Sequence, residues 1–580
     1  MMTVDRSFDI SQPLEALSAD ERLKAGSNQL RGTIRESLAD PVTGAVREPD
    51  AKLMKFHGIY QQDDRDLRDE RRQQKLEPAY QFMIRVRLPG GVCKPQQWLK
   101  LADLALAYGD GSLRLTTRQT FQFHGVLKGN VKATMQGLHE VLLDTIAACG
   151  DVPRGVMSAV NPHLSALHRE VYELARRTSD HLIPAQRAWH EIWLDGAKVL
   201  SSAHPEEGEA PEEPFFGRTY LPRKFKVGFA IPPGNDIDVF TQDLGFIAIA
   251  DGEALAGFNV TVGGGMGRTD RAPHTYPRLG DVAGYIPKER LLEVATAIVA
   301  IQRDFGNRAD RSRARFKYTI DDKGLDWFLD ELASRLGYRL EPPREFDFTT
   351  QADADGWNQG SDGKWHYTLF VENGRVRDGG SLALMTALRE IARLHDGELH
   401  VTPNQNVVVA RVDGKERPRI AAVLEKYGLT GPGGASPLRR NAMACVGFPT
   451  CGLAMAESER YLPSLVTATE ALLARHGLAD EPIVMRMTGC PNGCARPYVA
   501  EIAFSGRAPG KYNMYLGGRP DGQRLNRLYL ENIGEERILA ELDAVLGRYA
   551  RERRAGECFG DFAVRAGIVR AVTSGRDFNA

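Results

Sequence analysis

The chain has 580 residues, 42% of them hydrophobic, with 75 Lys and Arg against 76 Asp and Glu, so its length implies two to four domains and its net charge is −1. That balance lacks the basic excess of a general nucleic-acid binder, while leaving room for a local basic pocket that takes a small anion. No run approaches the roughly 18 apolar residues of a membrane helix, Met1–Ser7 has no apolar signal core, and seven cysteines point to metal or redox chemistry rather than a disulfide framework; a cytoplasmic location is expected.

The first eighty residues are polar and charge-rich, with little strand-like alternation, and are expected to form an extended or helical arm packed over the rest. Phe82, Ile84, Val86 and Leu88 alternate with Arg85 and Arg87, which predicts a strand over 82–89 with both arginines on one face. Residues 204–214 (HPEEGEAPEEP) predict a solvated loop. Lys224 and Lys226 flank Phe225, so on an extended segment they share a face that Phe225 avoids. From the residues alone, these cation pairs fit either an anion pocket or an ion-paired basic face. The glycine run Gly263–Gly267 is followed by Arg268-Thr269-Asp270-Arg271-Ala272-Pro273, which cannot open a helix, so it reads as a tight turn and not a dinucleotide loop. Asn307, Arg308 and Arg311–Lys317 form a further basic segment, open to a carboxylate-binding or a surface reading. Leu462, Leu465, Val466, Leu472 and Leu473, with Thr469, make a helical stripe over Leu462–Arg475.

The chain repeats itself. Asp110–Phe121 (DGSLRLTTRQTF) returns as Asp396–Val407 (DGELHVTPNQNV), and Phe258–Gly264 returns as Tyr512–Gly518. Two matches in the same order give an A1-B1-A2-B2 arrangement, and the mixed strands and helices give an α+β class.

Cys445 and Cys451 form a C-x5-C pair, and Cys490 and Cys494 a C-x3-C pair. Four thiolates so placed suit a [4Fe–4S] cube. Structural zinc, which favours tighter pairs, and unligated core cysteines remain open on spacing alone. Cys93, Cys149 and Cys558 are isolated and read as core thiols.

The C-x5-C pair followed by Gly489-Cys490-Pro491-Asn492-Gly493-Cys494 resembles the siroheme-dependent sulfite and nitrite reductases, and the likeness runs over nearly the whole chain. It includes Arg31–Ile34, Phe56–Gly58, Tyr60–Arg68, Arg118–Gly125, Leu221–Lys226 and, apart from Cys558, Gly556–Gly567. The arm motifs resemble the haemoprotein subunits of the NADPH-dependent, assimilatory sulfite reductases that serve cysteine biosynthesis. The resemblance implies an internally duplicated three-domain fold: an arm at 1–79, ferredoxin-like half-domains at 80–146 and 358–430 joined as one domain, and two α+β domains at 147–357 and 431–580. It implies siroheme and one [4Fe–4S] cluster, with Cys494 bridging the two and Cys445, Cys451 and Cys490 holding the other irons. Arg85, Arg154, Lys224 and Lys226 would bind and protonate sulfite during its six-electron reduction to sulfide. Keeping both lysines favours sulfite over the alternative substrate, nitrite.

Siroheme carries eight carboxylates, so Arg114, Thr116, Arg118, Gln119, Thr120, Gln122 and His124 are expected to line it, with Asn492 beside them. Thr117 stands where the family often has asparagine, and Asn404-Gln405-Asn406, the repeat of Arg118-Gln119-Thr120, has lost the arginine. Electrons would come from a separate flavoprotein subunit that binds NADPH, giving a hetero-oligomer with no nucleic acid and no membrane. The competing readings are a nitrite reductase with a ferredoxin donor and a non-catalytic iron–sulfur or zinc-stapled protein.

Overall fold

The computed structural model describes residues 9–185, 191–194, 197–201, 212–380, 382–430 and 435–579. Met1–Ser7 and residues 204–211 of the expected polar loop lie outside the described residues. Within the rest of that loop Glu213 is buried, where it accepts the Ala185 and Phe215 N–H groups.

Two antiparallel sheets have matching strand orders. The first runs Ile59–Asp63, Tyr80–Arg85, Phe121–Val126, Leu113–Leu115, and ends on Arg375–Val376. The second runs Gly356–Gln359, Trp365–Leu369, Val407–Val412, Glu398–Val401, and ends on Val92–Cys93. Each sheet is therefore completed by a two-residue strand from the other half of the chain, which makes the two ferredoxin-like halves one unit. In the first sheet Phe121 and Phe123 turn into the core, where Phe121 meets Trp98 of the helix Pro95–Tyr108 edge to face at 5.4 Å. Gln122 and His124 consequently face the other way.

The remaining two large sheets also match. One orders Met157–Ser158, Val227–Ala230, Leu244–Asp251, Ala254–Val262 and Asp281–Pro287; the other orders Ala442–Ala444, Met485–Thr488, Ile502–Ala508, Lys511–Leu516 and Arg527–Ile533. In both, the first two pairings are parallel and the last two antiparallel. The duplication read from two short motifs thus extends to every strand of these sheets. Both repeated motifs place a left-handed residue at the same point: Gln119 and Gln405 (φ 54° and 70°), and Gly263 and Gly517 (φ 78° and 95°).

Three expectations change. The arm is not strand-free, because Ile59–Asp63 pairs with Tyr80–Arg85 and forms the edge of the first sheet. The strand expected over 82–89 stops at Arg85, beyond which the chain changes partner and Arg87 forms an isolated antiparallel bridge with Asp144. Arg87 turns away from Arg85 and pairs with Asp180 at 2.6 Å. The helix Leu462–Arg475 forms with the expected bounds. The arm itself is anchored by its helix Ala19–Ala25, where buried Glu21 bonds Lys24 at 2.6 Å and Arg308 at 2.5 Å.

Candidate active site and metal centre

The four cysteines sit where two parallel strands of the second α+β sheet end. Cys445 follows Ala442–Ala444 and Cys490 follows Met485–Thr488. The Gly489 N–H donates to the Cys445 sulfur at 3.2 Å and the Asn492 amide to the Cys490 sulfur at 3.5 Å. Burial, then the neighbouring Cys445 and Cys494, pushes the Cys451 thiol up to about 12. Burial, then Cys494, Cys445 and Cys451, pushes Cys490 up as well. The two strand ends thus bring Cys445 and Cys490 side by side, with Cys451 and Cys494 on the loops that follow them. Among the described residues, the trio of His, Cys, Asp or Glu ligand atoms lying within 4.8 Å of one another is His163, Glu398 and His400, not a set of cysteines. Zinc bound at ~2.3 Å by sulfur needs sulfurs ~3.8 Å apart, so the wider set fits the larger iron–sulfur cube.

The arm closes over this centre. Arg65 donates to the Ala454 carbonyl at 2.6 Å and stacks on Phe448, 4.4 Å from the ring centroid, beside Cys451. On the inner side, Thr117 donates to the Cys494 carbonyl at 2.9 Å, so the position that departs from the family's asparagine still touches the proposed bridging cysteine.

Cations gather at the adjoining ends of the first sheets. Arg85, Gln122, Arg114 and Arg375 lie opposite one another in a row across the first sheet. With the Gln122 amide turned so that its oxygen faces Arg85, that oxygen accepts from Arg85 Nη2 at 2.5 Å and Nε at 3.2 Å. Val152–Arg154 runs beside Phe225, with Arg154 N–H on the Phe225 carbonyl and Phe225 N–H on the Val152 carbonyl. That pairing brings Arg154 next to Lys224 and Lys226, while the Phe225 ring packs on Phe316 at 5.3 Å. Burial, then Arg223 and Arg154, drives the Lys224 ammonium well below its usual range. Burial, then Arg118 and Arg315, does the same to Lys226, opposed by Asp243 and Cys494. Such mutual repulsion is what a bound oxyanion would relieve.

The other expected cofactor contacts divide. Arg118 joins the pocket, donating to Gln242 at 2.9 Å and the Gly155 carbonyl at 2.7 Å. His124 is buried with both ring nitrogens unpartnered, among Arg375, Arg114 and Arg85. Buried Arg114 reaches the Ala444 carbonyl at 2.7 Å, one residue before Cys445. Gln119, by contrast, grips the Ser158 backbone through both amide atoms, at 2.8 and 2.9 Å. Thr120 donates to the Val86 carbonyl, and Thr116 accepts from the Arg118 N–H at 3.2 Å. These three hold the turn and join sheets.

The basic segment after Asn307 is paired within the protein, by acids and backbone carbonyls. Arg308 meets Glu21, Arg311 meets Asp151 at 2.8 Å, Arg315 meets Asp243 at 2.9 Å, and Lys317 donates to the Gly265 and Gly267 carbonyls. The glycine run thus wraps an ammonium group.

Sequence reasoning missed several residues. Cys149, read as a core thiol, lies 2.9 Å from Arg85 Nη1 and against Tyr60, whose phenol burial pushes up to about 12. Asp238 is buried between Arg486, at 2.7 Å, and Arg496, joining the two halves beside Cys494. Arg496 lies two residues beyond Cys494 in a left-handed conformation and donates to the Thr117 carbonyl at 2.7 Å. No motif spacing marks partners this far apart; only buried charge with no local counterion could have raised the question.

Comparisons with known proteins follow the same outline. The family described as "Nitrite and sulphite reductase 4Fe-4S domain" matches residues 174–340. The "Nitrite/Sulfite reductase ferredoxin-like half domain" matches 73–141 and 358–427. The chain is 63% identical over 576 residues to a "Sulfite reductase [NADPH] hemoprotein beta-component" of Methylocella silvestris, covering 99% of this chain and 98% of that protein. It is 65% identical over 572 residues to the protein of the same name from Bordetella petrii, covering 98% and 97%. The NirA protein of Mycobacterium tuberculosis has the same fold, with a TM-score of 0.76, 24% identity and coverage of 97% of this chain and 99% of that one. The chain belongs to the sulfite reductase hemoprotein beta-component family, within the nitrite and sulfite reductases.

Proposed function

We propose that this chain is the catalytic haemoprotein subunit of an NADPH-dependent assimilatory sulfite reductase, which reduces sulfite by six electrons to hydrogen sulfide. Its cofactors are siroheme and one [4Fe–4S] cluster, as in the family; when bound, the coupled pair supplies the electrons. Cys445, Cys451, Cys490 and Cys494 would hold the cluster, with Cys494 the thiolate it would share with the siroheme. Arg114, Arg118, Gln122 and His124 would line the macrocycle and Asn492 would donate beside the cluster at the Cys490 sulfur, with Thr116, Gln119 and Thr120 fixing the turn.

Arg85, Arg154, Lys224 and Lys226 bind sulfite, and their fixed positive charge meets the negative charge that grows on its oxygens. The lysines' depressed proton affinity equips them to release protons to departing oxygens and to recover them from water. The observation that carries this reading is Lys226. Among the described residues its ammonium has no carboxylate within ion-pair range, Asp243 meeting its backbone N–H instead, and it stands in the fields of Arg118, Arg315, Asp243 and Cys494, between the cation pocket and the thiol centre.

A flavoprotein subunit passes electrons from NADPH to the cluster, in keeping with the beta-component name of the relatives, and the assembly is a cytoplasmic hetero-oligomer. No described helix is long and apolar enough to cross a membrane. We further propose domain limits at 1–79, 80–146 with 358–430, 147–357 and 431–580. The test uses purified holoprotein with reduced methyl viologen. Lys226→Asn is expected to impair sulfite reduction far more than nitrite reduction; equal losses on the two substrates would contradict the assigned role.

A further inference from the structure

A second cluster of metal-ligating side chains lies away from the cysteines, where the first α+β domain meets the second ferredoxin-like half. His163 Nε2 and His400 Nε2 both stand 2.8 Å from the same oxygen of Glu398, and the three ligand atoms lie within 4.8 Å of one another. Glu398 and His400 are on one face of the strand Glu398–Val401, two residues apart. His163 comes from the loop after Met157–Ser158, held by its own N–H on the Asn161 side chain at 3.1 Å. A third imidazole, His366, is stacked parallel on His163 with centroids 6.2 Å apart.

The hydrogen bonds among these groups do not satisfy them. A single carboxylate oxygen serves both Nε2 atoms, while His163 Nδ1, His400 Nδ1 and His366 Nε2 are buried without partners. His366 is 2% exposed and His400 1%. The two Nε2 atoms thus converge on one carboxylate oxygen from separate elements of the fold, as ligands gathered around a common point do. Two imidazoles and a carboxylate are also a standard set for a tetrahedral divalent ion, whose ligand atoms stand on the order of 3.4 Å apart. Moving from 2.8 Å to that spacing takes only a small shift of each side chain.

The location adds an independent reason. His400 occupies in the second half the motif position that Arg114 occupies in the first, within the repeated Asp-Gly motif. The loop carrying His163 follows Met157–Ser158 as the loop of Cys445 and Cys451 follows Ala442–Ala444, in sheets of identical order. The cluster therefore sits at the pseudo-twofold counterpart of the cysteine loop and its cofactor-facing arginine. We infer that His163, Glu398 and His400 form a second metal site, for a zinc-class divalent ion. The ion would clamp the first α+β domain to the second ferredoxin-like half.

The test is metal content. Holoprotein is stripped with EDTA, dialysed against about 10 µM Zn2+ and analysed for zinc and iron, with about one zinc per chain expected. The double substitution His163→Ala, His400→Ala should remove that zinc while the visible absorption of the bound cofactors persists, which shows that the fold is intact. If the double variant does not fold, Glu398→Gln should weaken zinc binding at least tenfold. Wild-type holoprotein that takes up no zinc, or variants that bind as much as wild type, would overturn the site.

Discussion

The two halves of this molecule have the same joints and different charges. Gln119 and Gln405 both adopt left-handed backbone, and both donate from the side-chain amide to a strand of the adjoining sheet, at Ser158 and at Ala444. Asp243 and Glu501 likewise accept a backbone N–H at 2.9 Å from the residue that opens a parallel strand, Lys226 in one half and Val484 in the other. Yet that pair changes a cation into an apolar side chain. Arg118 becomes Asn404, which with Thr402 and Asn406 donates to Asp353, a carboxylate of the chain itself. On the proposed reading, one half presents polar groups to a cofactor; the other satisfies the same ladder internally. Duplicated folds preserve the bonds that set geometry and let the chemistry diverge at the residues pointing into the former site.

The largest expected effect is on the joint between the halves. Asp238→Ala leaves Arg486 and Arg496 buried and unpaired beside Cys494, and should cost about 3–5 kcal/mol in urea unfolding. A loss under about 1 kcal/mol would show that the two halves do not depend on that contact. Giving the active half its twin's residue comes next. Lys226→Val should lower kcat/KM for sulfite by about 10²–10³-fold with little change in folding, and an unchanged value would place the anion elsewhere.

Glu501 separates the halves by pH. Burial, against the N–H groups of Val484 and Gly560, raises its pKa to about 7. A carboxyl raised in the folded state contributes stability that is fully present below about pH 4.5 and is lost as pH rises through about 7. Glu501→Gln should flatten that part of the stability profile by on the order of 2–3 kcal/mol; a profile identical to wild type would contradict it. The smallest effect belongs to the shared joints. Gln119→Ala and Gln405→Ala should each cost about 1–3 kcal/mol by stranding backbone groups, while only Gln119→Ala should also slow sulfite reduction.

The cysteine spacing, the duplication and the helix Leu462–Arg475 were legible because each is a local pattern. Arg85, Arg154, Lys224 and Lys226 were reached through the resemblance, since no spacing connects three segments that meet only across strand ends. The role of Gln119 was misjudged because its polar side chain suits a cofactor and a backbone equally well; only the Ser158 contact distinguishes them. Arg87 and the segment Arg308–Lys317 show the same limit, because their counterions Asp180, Glu21, Asp151 and Asp243 lie far away in sequence. The strand Ile59–Asp63 was hidden by polar residues at an edge, where water satisfies what a buried strand must fill with apolar side chains.

The central claim is that the cation pocket and the thiol centre act as one site joined at Cys494. It is tested by the stoichiometry of purified holoprotein, fed by reduced methyl viologen, in wild type and Cys494→Ser. The account predicts about six electrons consumed per sulfide released by the wild type, and loss of that turnover in the variant together with a changed siroheme spectrum. Sulfide formation at an undiminished rate by Cys494→Ser, with the wild-type spectrum, would contradict it.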